Sequence, residues 1–274
     1  GALTAALVHR LQARGGSLRC GERVERIVVR DRRAVGVRTA GGETVDARRA
    51  VLADVSVPAL YGDLVGPEHL PDQVVADLRR FQWDFATFKV DWALDGPVPW
   101  RCEDAARAGT VHLADGLDEL TRFAAQIAMR QVPDRPFSLF GQMTTTDPVR
   151  SPSGTESAWA YTHVPHDIRA DAGDEGITGS WDAKEQELMA DRVERQVERF
   201  APGFRSLIRA RRILAPPTLQ ALNANLEGGA INGGTTAMHQ QLVFRPVPGT
   251  GRPETPVTGL FLASAGAHPG GGVH

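Results

Sequence analysis

The chain has 274 residues, 42% of them hydrophobic and 23% charged, with a formal net charge of -2; this is ordinary globular composition, long enough for two domains. The balance of charge shows no basic stripe of the kind nucleic acid requires, and no apolar run is long enough to span a bilayer. The two cysteines, Cys20 and Cys102, form neither a disulfide framework nor a metal-ligand spacing, which suits a reducing, cytoplasmic setting.

Residues 2–14 carry Leu3, Leu7, Val8 and Leu11 at helical spacing, and Gly15-Gly16 ends the helix. The chain opens at Gly1 directly into this helix, so it reads as an excerpt. Short strands are expected at residues 18–20 and 24–30, the second leading through Asp31-Arg-Arg33 into 34–39. Gly41-Gly42 then turns into 43–46, which makes a three-stranded meander. Val51-Leu-Ala53 returns as an apolar strand ending at Asp54. These elements predict part of a doubly wound nucleotide-binding domain whose first βαβ unit lies outside the chain.

The middle of the chain differs in pattern. Residues 85–94 alternate, with Phe88, Val90, Trp92 and Leu94 on one face, and residues 137–143 and 157–163 repeat the alternation expected of half-buried antiparallel strands. Helices are predicted over 71–80, over 116–130 entered through Asp115, and over 183–199 entered through the capping pair Asp182 and Glu185. The resulting division is residues 1–57 for part of one domain, 58–222 for a separate inserted domain, and 223–274 for the return to the first. The fold class is α/β plus α+β: an incomplete Rossmann-type domain with a β-meander, and an insert with a mainly antiparallel sheet and helices.

The last stretch, Ala263-Ser-Ala-Gly-Ala-His-Pro-Gly-Gly-Gly-Val-His274, follows the apolar run Gly259-Leu-Phe-Leu262. A strand leading into consecutive glycines lets backbone approach a ligand closely, because no Cβ intervenes. Other motifs carry less. Gly228-Gly-Ala-Ile-Asn-Gly-Gly-Thr235 has a phosphate-loop spacing but places Gly234 where the lysine must stand, so it reads as a turn. Its neighbourhood supplies the polar candidates Asn232, His239 and Arg245. His163-Val-Pro-His166 lacks further metal ligands, Ser264 lacks the first glycine of a nucleophile elbow, and His268 shapes its loop more simply than it serves as a base. No metal is expected.

The order Gly1-Ala-Leu-Thr-Ala-Ala-Leu7, Val24-Glu-Arg-Ile27, Val51-Leu-Ala-Asp54, Asp147-Pro148, Phe244-Arg-Pro246 and the Ala263 to Val273 tail resembles the phytoene desaturase-like FAD-dependent oxidoreductases. This group includes carotenoid desaturases and isomerases, is related to the pyridine nucleotide-disulfide oxidoreductase domain proteins, and lies within the flavin amine oxidase superfamily. The resemblance covers almost the whole chain and is most specific in Ser264-Ala-Gly-Ala-His-Pro-Gly-Gly-Gly-Val273.

The resemblance makes the 58–222 insert the substrate-binding domain, places residues 228–235 as a loop lining the substrate cavity, implies FAD as cofactor and assigns its contacts. Val24 meets the adenine end through its main chain, Ala53 and Asp54 lie near the dinucleotide, Ser264, Ala265 and Gly266 approach the pyrophosphate and ribityl chain, and Gly270, Gly271, Gly272 and Val273 lie against the isoalloxazine. No G-x-G-x-x-G occurs in the chain, so this excerpt is not expected to hold FAD tightly alone. The implied activity is hydride transfer from a lipophilic alkene or isoprenoid to flavin, with no catalytic side chain assigned and with peripheral membrane contact for loading such a substrate. Alternatives are a flavin-dependent carotenoid-type isomerase, an amine oxidase, and a non-catalytic truncated paralogue acting as a binding module.

Overall fold

The computed structural model describes residues 1–271. The chain runs through α1 (Ala2–Ala13), β1 (Val24–Arg30), β2 (Arg33–Thr39), β3 (Thr44–Asp46) and β4 (Val51–Ala53) to α2 (Asp72–Leu78). Next come β5 (Ala86–Leu94), α3 (Glu103–Arg107), β6 (Thr110–Leu113), α4 (Leu117–Ala128), β7 (Gln131–Val132), β8 (Ser138–Gln142) and β9 (Glu156–Val164). They are followed by β10 (Ala170–Asp171), α5 (Ala183–Phe200), β11 (Ile208–Leu214), α6 (Pro216–Leu222) and β12 (Leu260–Leu262).

Two compact units result, Gly1–Phe81 with Ala237–His274, and Gln82–Thr236. Both boundaries fall later than residues 57 and 222, and packing explains why. Residues Ala59–Val65 wind as a π-helical stretch whose Leu60, Tyr61 and Val65 belong to the first unit's core. At the other boundary α6 packs on β11 and β5, and the Thr235 N–H donates to the Gln82 carbonyl at 2.9 Å, so the second unit closes on itself there.

In the first unit β1, β2 and β3 form the expected antiparallel meander. β4 and β12 pair in parallel, with Val51 opposite Leu260 and Ala53 opposite Leu262. Ile27, Ala34, Val57, Leu60, Leu260 and Leu262 make the core. Tyr61 is buried among them, and that desolvation pushes its phenol up to about 12. Residues 18–20 are not a strand; the segment is tied to the meander through the side chain of Arg19, which donates to Glu43. The helix α1 forms as expected, yet it buries no residue, and Leu3 is 76% exposed. In α2, Val74 is buried and Val75 and Leu78 pack on the core.

The second unit is built on a five-stranded antiparallel sheet in the order β11-β5-β9-β8-β6. Period-two alternation puts Phe88, Val90, Trp92 and Leu94 of β5 on the face that packs with Met189, Val193 and Val197 of α5. Trp92 lies edge-on to Phe204 at 5.2 Å, and its Nε1 donates to Glu194 at 2.9 Å. A large ring is thereby buried without an orphaned donor. Asp182 caps α5 by accepting from the Glu185 N–H at 2.8 Å. Glu185 does not complete the reciprocal box: its carboxylate accepts the N–H groups of Thr178, Gly179 and Trp181 and so ties the preceding loop to the helix. Asp115 does not cap α4; its own N–H donates to Glu119 at 2.6 Å.

Candidate functional site

In the first unit two parallel strands end side by side. The ladder continues past β12, where the Ala263 N–H donates to the Ala53 carbonyl at 2.9 Å. The buried Ala53 and the exposed Asp54 therefore stand next to the start of the glycine-rich stretch. The carboxyl ends of parallel strands are where open α/β sheets receive ligands, since both chains turn away there. Val24, at the head of β1, lines a separate polar recess of ≈ 550 Å³ with Arg23, Arg26, Arg38 and Glu68.

The stretch after β12 is a compact turn. Ser264 Oγ accepts the Gly266 N–H at 3.2 Å, and the Ser264 carbonyl accepts the Ala267 N–H at 2.9 Å. These two donors are used locally. Gly270 is buried with φ 130°, and a Cβ there would come 3.3 Å from Gln241 Oε1 and 3.6 Å from Arg245 Cδ. Glycine is needed at this position both for the backbone angle and for the space. Gly271 is an exposed bend. Gly272 and Val273, expected against the flavin ring, lie outside the described residues.

A second segment holds this turn in place. Arg245 is only 1% exposed, and its Nε and Nη2 both donate to the Ala265 carbonyl, at 3.0 and 2.8 Å. His268 Nδ1 lies 2.9 Å from the Leu242 carbonyl. A carbonyl can only accept, so Nδ1 carries the proton, and His268 is a loop-shaping group here. Arg245, taken from sequence as a substrate contact, is instead a buried support of the glycine loop. The Phe244-Arg-Pro246 order marked the position, but nothing in a lone arginine between Phe and Pro announces burial.

The three polar candidates are divided between the two units. Asn232 belongs to the second unit, where its Nδ2 donates to the buried Asp84 carboxylate. His239 is exposed in a short 3-10 turn of the first unit. Residues 228–235 form a turn rather than a phosphate loop: no helix follows, a Cβ on Gly229 would lie 2.6 Å from Pro216 Cα, and one on Gly228 would lie 2.5 Å from His166 Nδ1. His166 Nε2 is 2.5 Å from the Asp84 carbonyl, whereas the His163 ring packs between Phe85 and Tyr161. The two histidines of residues 163–166 thus serve different surroundings, and among the described residues no group of three His, Cys, Asp or Glu is placed to hold a metal.

The model of the family described as "Flavin containing amine oxidoreductase" matches residues 2–274. The chain belongs to that family. Within it, the chain is 30% identical to the mouse (Mus musculus) pyridine nucleotide-disulfide oxidoreductase domain-containing protein 2, over all of this chain and 47% of that protein. It is 28% identical to a lycopene-forming phytoene desaturase of Pseudescherichia vulneris, over all of this chain and 51% of the desaturase. A crystal structure of an oxidoreductase from Methanosarcina mazei matches 96% of this chain and 48% of that one, with a TM-score of 0.57 and 16% identity, a likeness of fold. The chain spans about half the length of the curated relatives it matches.

The family's cofactor is FAD, and the first unit fits one side of such a site. Its two parallel strands end together at Ala53 and Leu262, a glycine without a Cβ stands in a left-handed conformation at 270, and a buried guanidinium is bonded to the same loop. A fixed cation at such an edge favours negative charge on a reduced flavin.

Among the described residues no helix is long and apolar enough to cross a membrane.

Proposed function

We propose that this chain supplies the flavin-ring loop and the substrate sheet of an FAD-dependent oxidoreductase that oxidises a lipophilic alkene of isoprenoid type. The observation that carries the reading is the glycine turn after β12, held by the buried Arg245 at the shared end of two parallel strands. The phytoene and zeta-carotene desaturases among the relatives support the choice of substrate class.

Desaturation removes a hydride and a proton from adjacent carbons and leaves a double bond between them. Bound FAD supplies the hydride acceptor, with the electrons passing on to a quinone or dioxygen. The chain's own residues have a different task. Arg245 and Gly270 fix the loop, Ala53 and Asp54 form the strand edge beside it, and the sheet of the second unit offers an apolar and aromatic face for a long substrate. Orientation and exclusion of water then provide much of the rate advantage.

The test uses the product of the complete gene. It is purified, its flavin is released by denaturation and identified, and the intact protein is mixed with phytoene and a quinone acceptor. Bound FAD and a polyene with extended conjugation are expected. Absence of flavin overturns the reading as a flavoenzyme. Acceptor consumption with an amine but not with phytoene, or a change of double-bond geometry without acceptor consumption, replaces desaturation with amine oxidation or isomerisation.

A further inference from the structure

The second unit's sheet has two faces, and they differ in kind. The face toward α5 is apolar core. On the other, β5 presents Thr87, Lys89 and Asp91 opposite His163, Tyr161 and Trp159 of β9, rung by rung. Trp159 lies flat over Gly141, where a Cβ would collide with the indole, and it stacks with Tyr161 at 6.0 Å and an interplanar angle of 11°. Tyr161 meets His163 edge-on at 5.9 Å, and the His163 ring is 6.3 Å from that of Phe85. Phe85 is 47% exposed and lines an apolar cleft of ≈ 430 Å³ together with Trp83, Ile127 and Pro165.

One rung of this aromatic ladder is polar and unpaired. Thr87 is 2% exposed and its Oγ1 has no hydrogen-bond partner; His163 Nδ1, on the residue directly opposite, is also buried without one. Other buried polar side chains nearby are satisfied: Thr162 Oγ1 donates to the Phe137 carbonyl at 2.6 Å, and Asp84 accepts from Asn232. Buried polar atoms without partners cost stability, and two of them on adjacent strands at one rung are unusual. A hydroxyl can donate and accept, and an imidazole nitrogen can do either according to its tautomer, so this pair suits an oxygen that both gives and receives a hydrogen bond.

We propose that this face is a specificity-determining site for a lipophilic ligand bearing a terminal alcohol. The carbon chain lies over Phe85 and into the apolar cleft that it lines, and the oxygen is bound at Thr87 and His163, between Phe85 and Tyr161. The proposal rests on the reading above that the protein acts on lipophilic alkenes, and it narrows that class from hydrocarbons to oxygenated molecules. A site that hydrogen-bonds a hydroxyl discriminates strongly against the analogue lacking it, because its own polar groups are then left unpaired.

The probes are farnesol and β-farnesene, an alcohol and a hydrocarbon on a similar carbon skeleton. Each is titrated into the flavin-loaded product of the complete gene, with tryptophan fluorescence as the readout. Farnesol is expected to bind about tenfold more tightly than farnesene. Thr87→Val and His163→Phe each keep the shape of the rung and remove a polar group; each is expected to abolish most of that preference while leaving farnesene binding within about twofold. Equal binding of the two probes by the wild type, or a preference that survives both substitutions, overturns the proposal. Binding of neither probe also overturns it. Flavin content is measured on the same samples: a flavin-loaded protein without the alcohol preference loses only this inference, and a flavin-free protein loses the reading on which it rests.

Discussion

The two units differ in how completely their own residues account for them. In the second, nine-residue strands β5 and β9 are paired along their whole length, and buried charges have partners within the unit. In the first, the parallel pair β4 and β12 is three residues long, α1 buries nothing, and Leu52 on β4 is 70% exposed. The glycine loop thus sits in the unit with the shorter ladder and the more open apolar surface. Its geometry depends on a few specific contacts, Arg245 chief among them, whereas the second unit's sheet is over-determined by packing. That division suits a scaffold that must be rigid and a cofactor edge that must admit a ligand.

The sharpest way to break the comparison is to damage the second unit's closure. Arg192, buried on α5, donates to both oxygens of Asp171 at 2.7 Å and also pairs with Glu175. Asp171→Ala removes the better-placed partner of a buried cation, and a loss of about 3–5 kcal/mol is expected in chemical denaturation followed by tryptophan fluorescence. A loss under about 1 kcal/mol would mean that packing alone closes this unit.

The same network predicts a pH dependence. Burial by itself raises the carboxyl pKa of Asp171, Glu175 and Glu185. For Asp171 and Glu175 the Arg192 guanidinium outweighs it, and for Glu185 the hydroxyl and N–H of Thr178 and the N–H groups of Trp181 and Gly179 do so; all three therefore end below their ordinary values. Folded-state values below the unfolded ones stabilise the fold above the ordinary carboxylate range, and that stability is lost as pH falls through the folded values. Unfolding free energy should be nearly flat from about pH 7 to about pH 5 and fall below that. Asp171→Ala should flatten the acid limb; an unchanged limb in that variant would remove the network as its source.

A third test moves to the first unit. Arg245→Met keeps much of the side-chain volume but removes both hydrogen bonds to the Ala265 carbonyl. Charge-assisted bonds of this kind contribute about 1.5–3 kcal/mol each way they are counted, so flavin retention is expected to fall roughly tenfold or more. Denaturation of the second unit should be unaltered. Arg245→Lys, with a single point charge in place of a planar fork, should restore only part of the retention. Full retention in the Met variant would show that the loop holds its shape without the clamp.

Much of this architecture was legible in the residues, and the remainder was hidden for identifiable reasons. The meander, the short apolar strands near residues 51–53 and 260–262, and the alternation of β5 follow directly from apolar periodicity and Gly-Gly turns, whereas the parallel pairing of β4 with β12 came only with the fold. β11 was not anticipated because Arg209, Arg211 and Arg212 interrupt its apolar residues; Arg211 is tolerated there because Asp191, Glu194 and Glu187 of α5 receive it. The π-helical turn at 59–65 has no sequence signature. The glycine tail was recognised as a ligand-facing edge, but its support was not, since the burial of Arg245 depends on residues some twenty positions away. The polar rung at Thr87 and His163 also required the β5–β9 register.

The smallest predicted effect isolates the glycine itself. Gly270→Ala adds one methyl where φ is 130°, a region that residues with a Cβ enter at a cost, and brings that carbon 3.3 Å from Gln241 Oε1. Two consequences follow: backbone strain of about 1–3 kcal/mol, and displacement of a neighbour by a few tenths of an ångström. The second unit has no part in either, so its denaturation should be unchanged while flavin retention falls a few-fold. Because Arg245 remains in place, the loss should be smaller than in Arg245→Met, and combining the two substitutions should cost less than the sum, since both loosen one loop. Strict additivity would show that Gly270 meets the cofactor independently of the clamp, and would divide the loop into two separately supported halves.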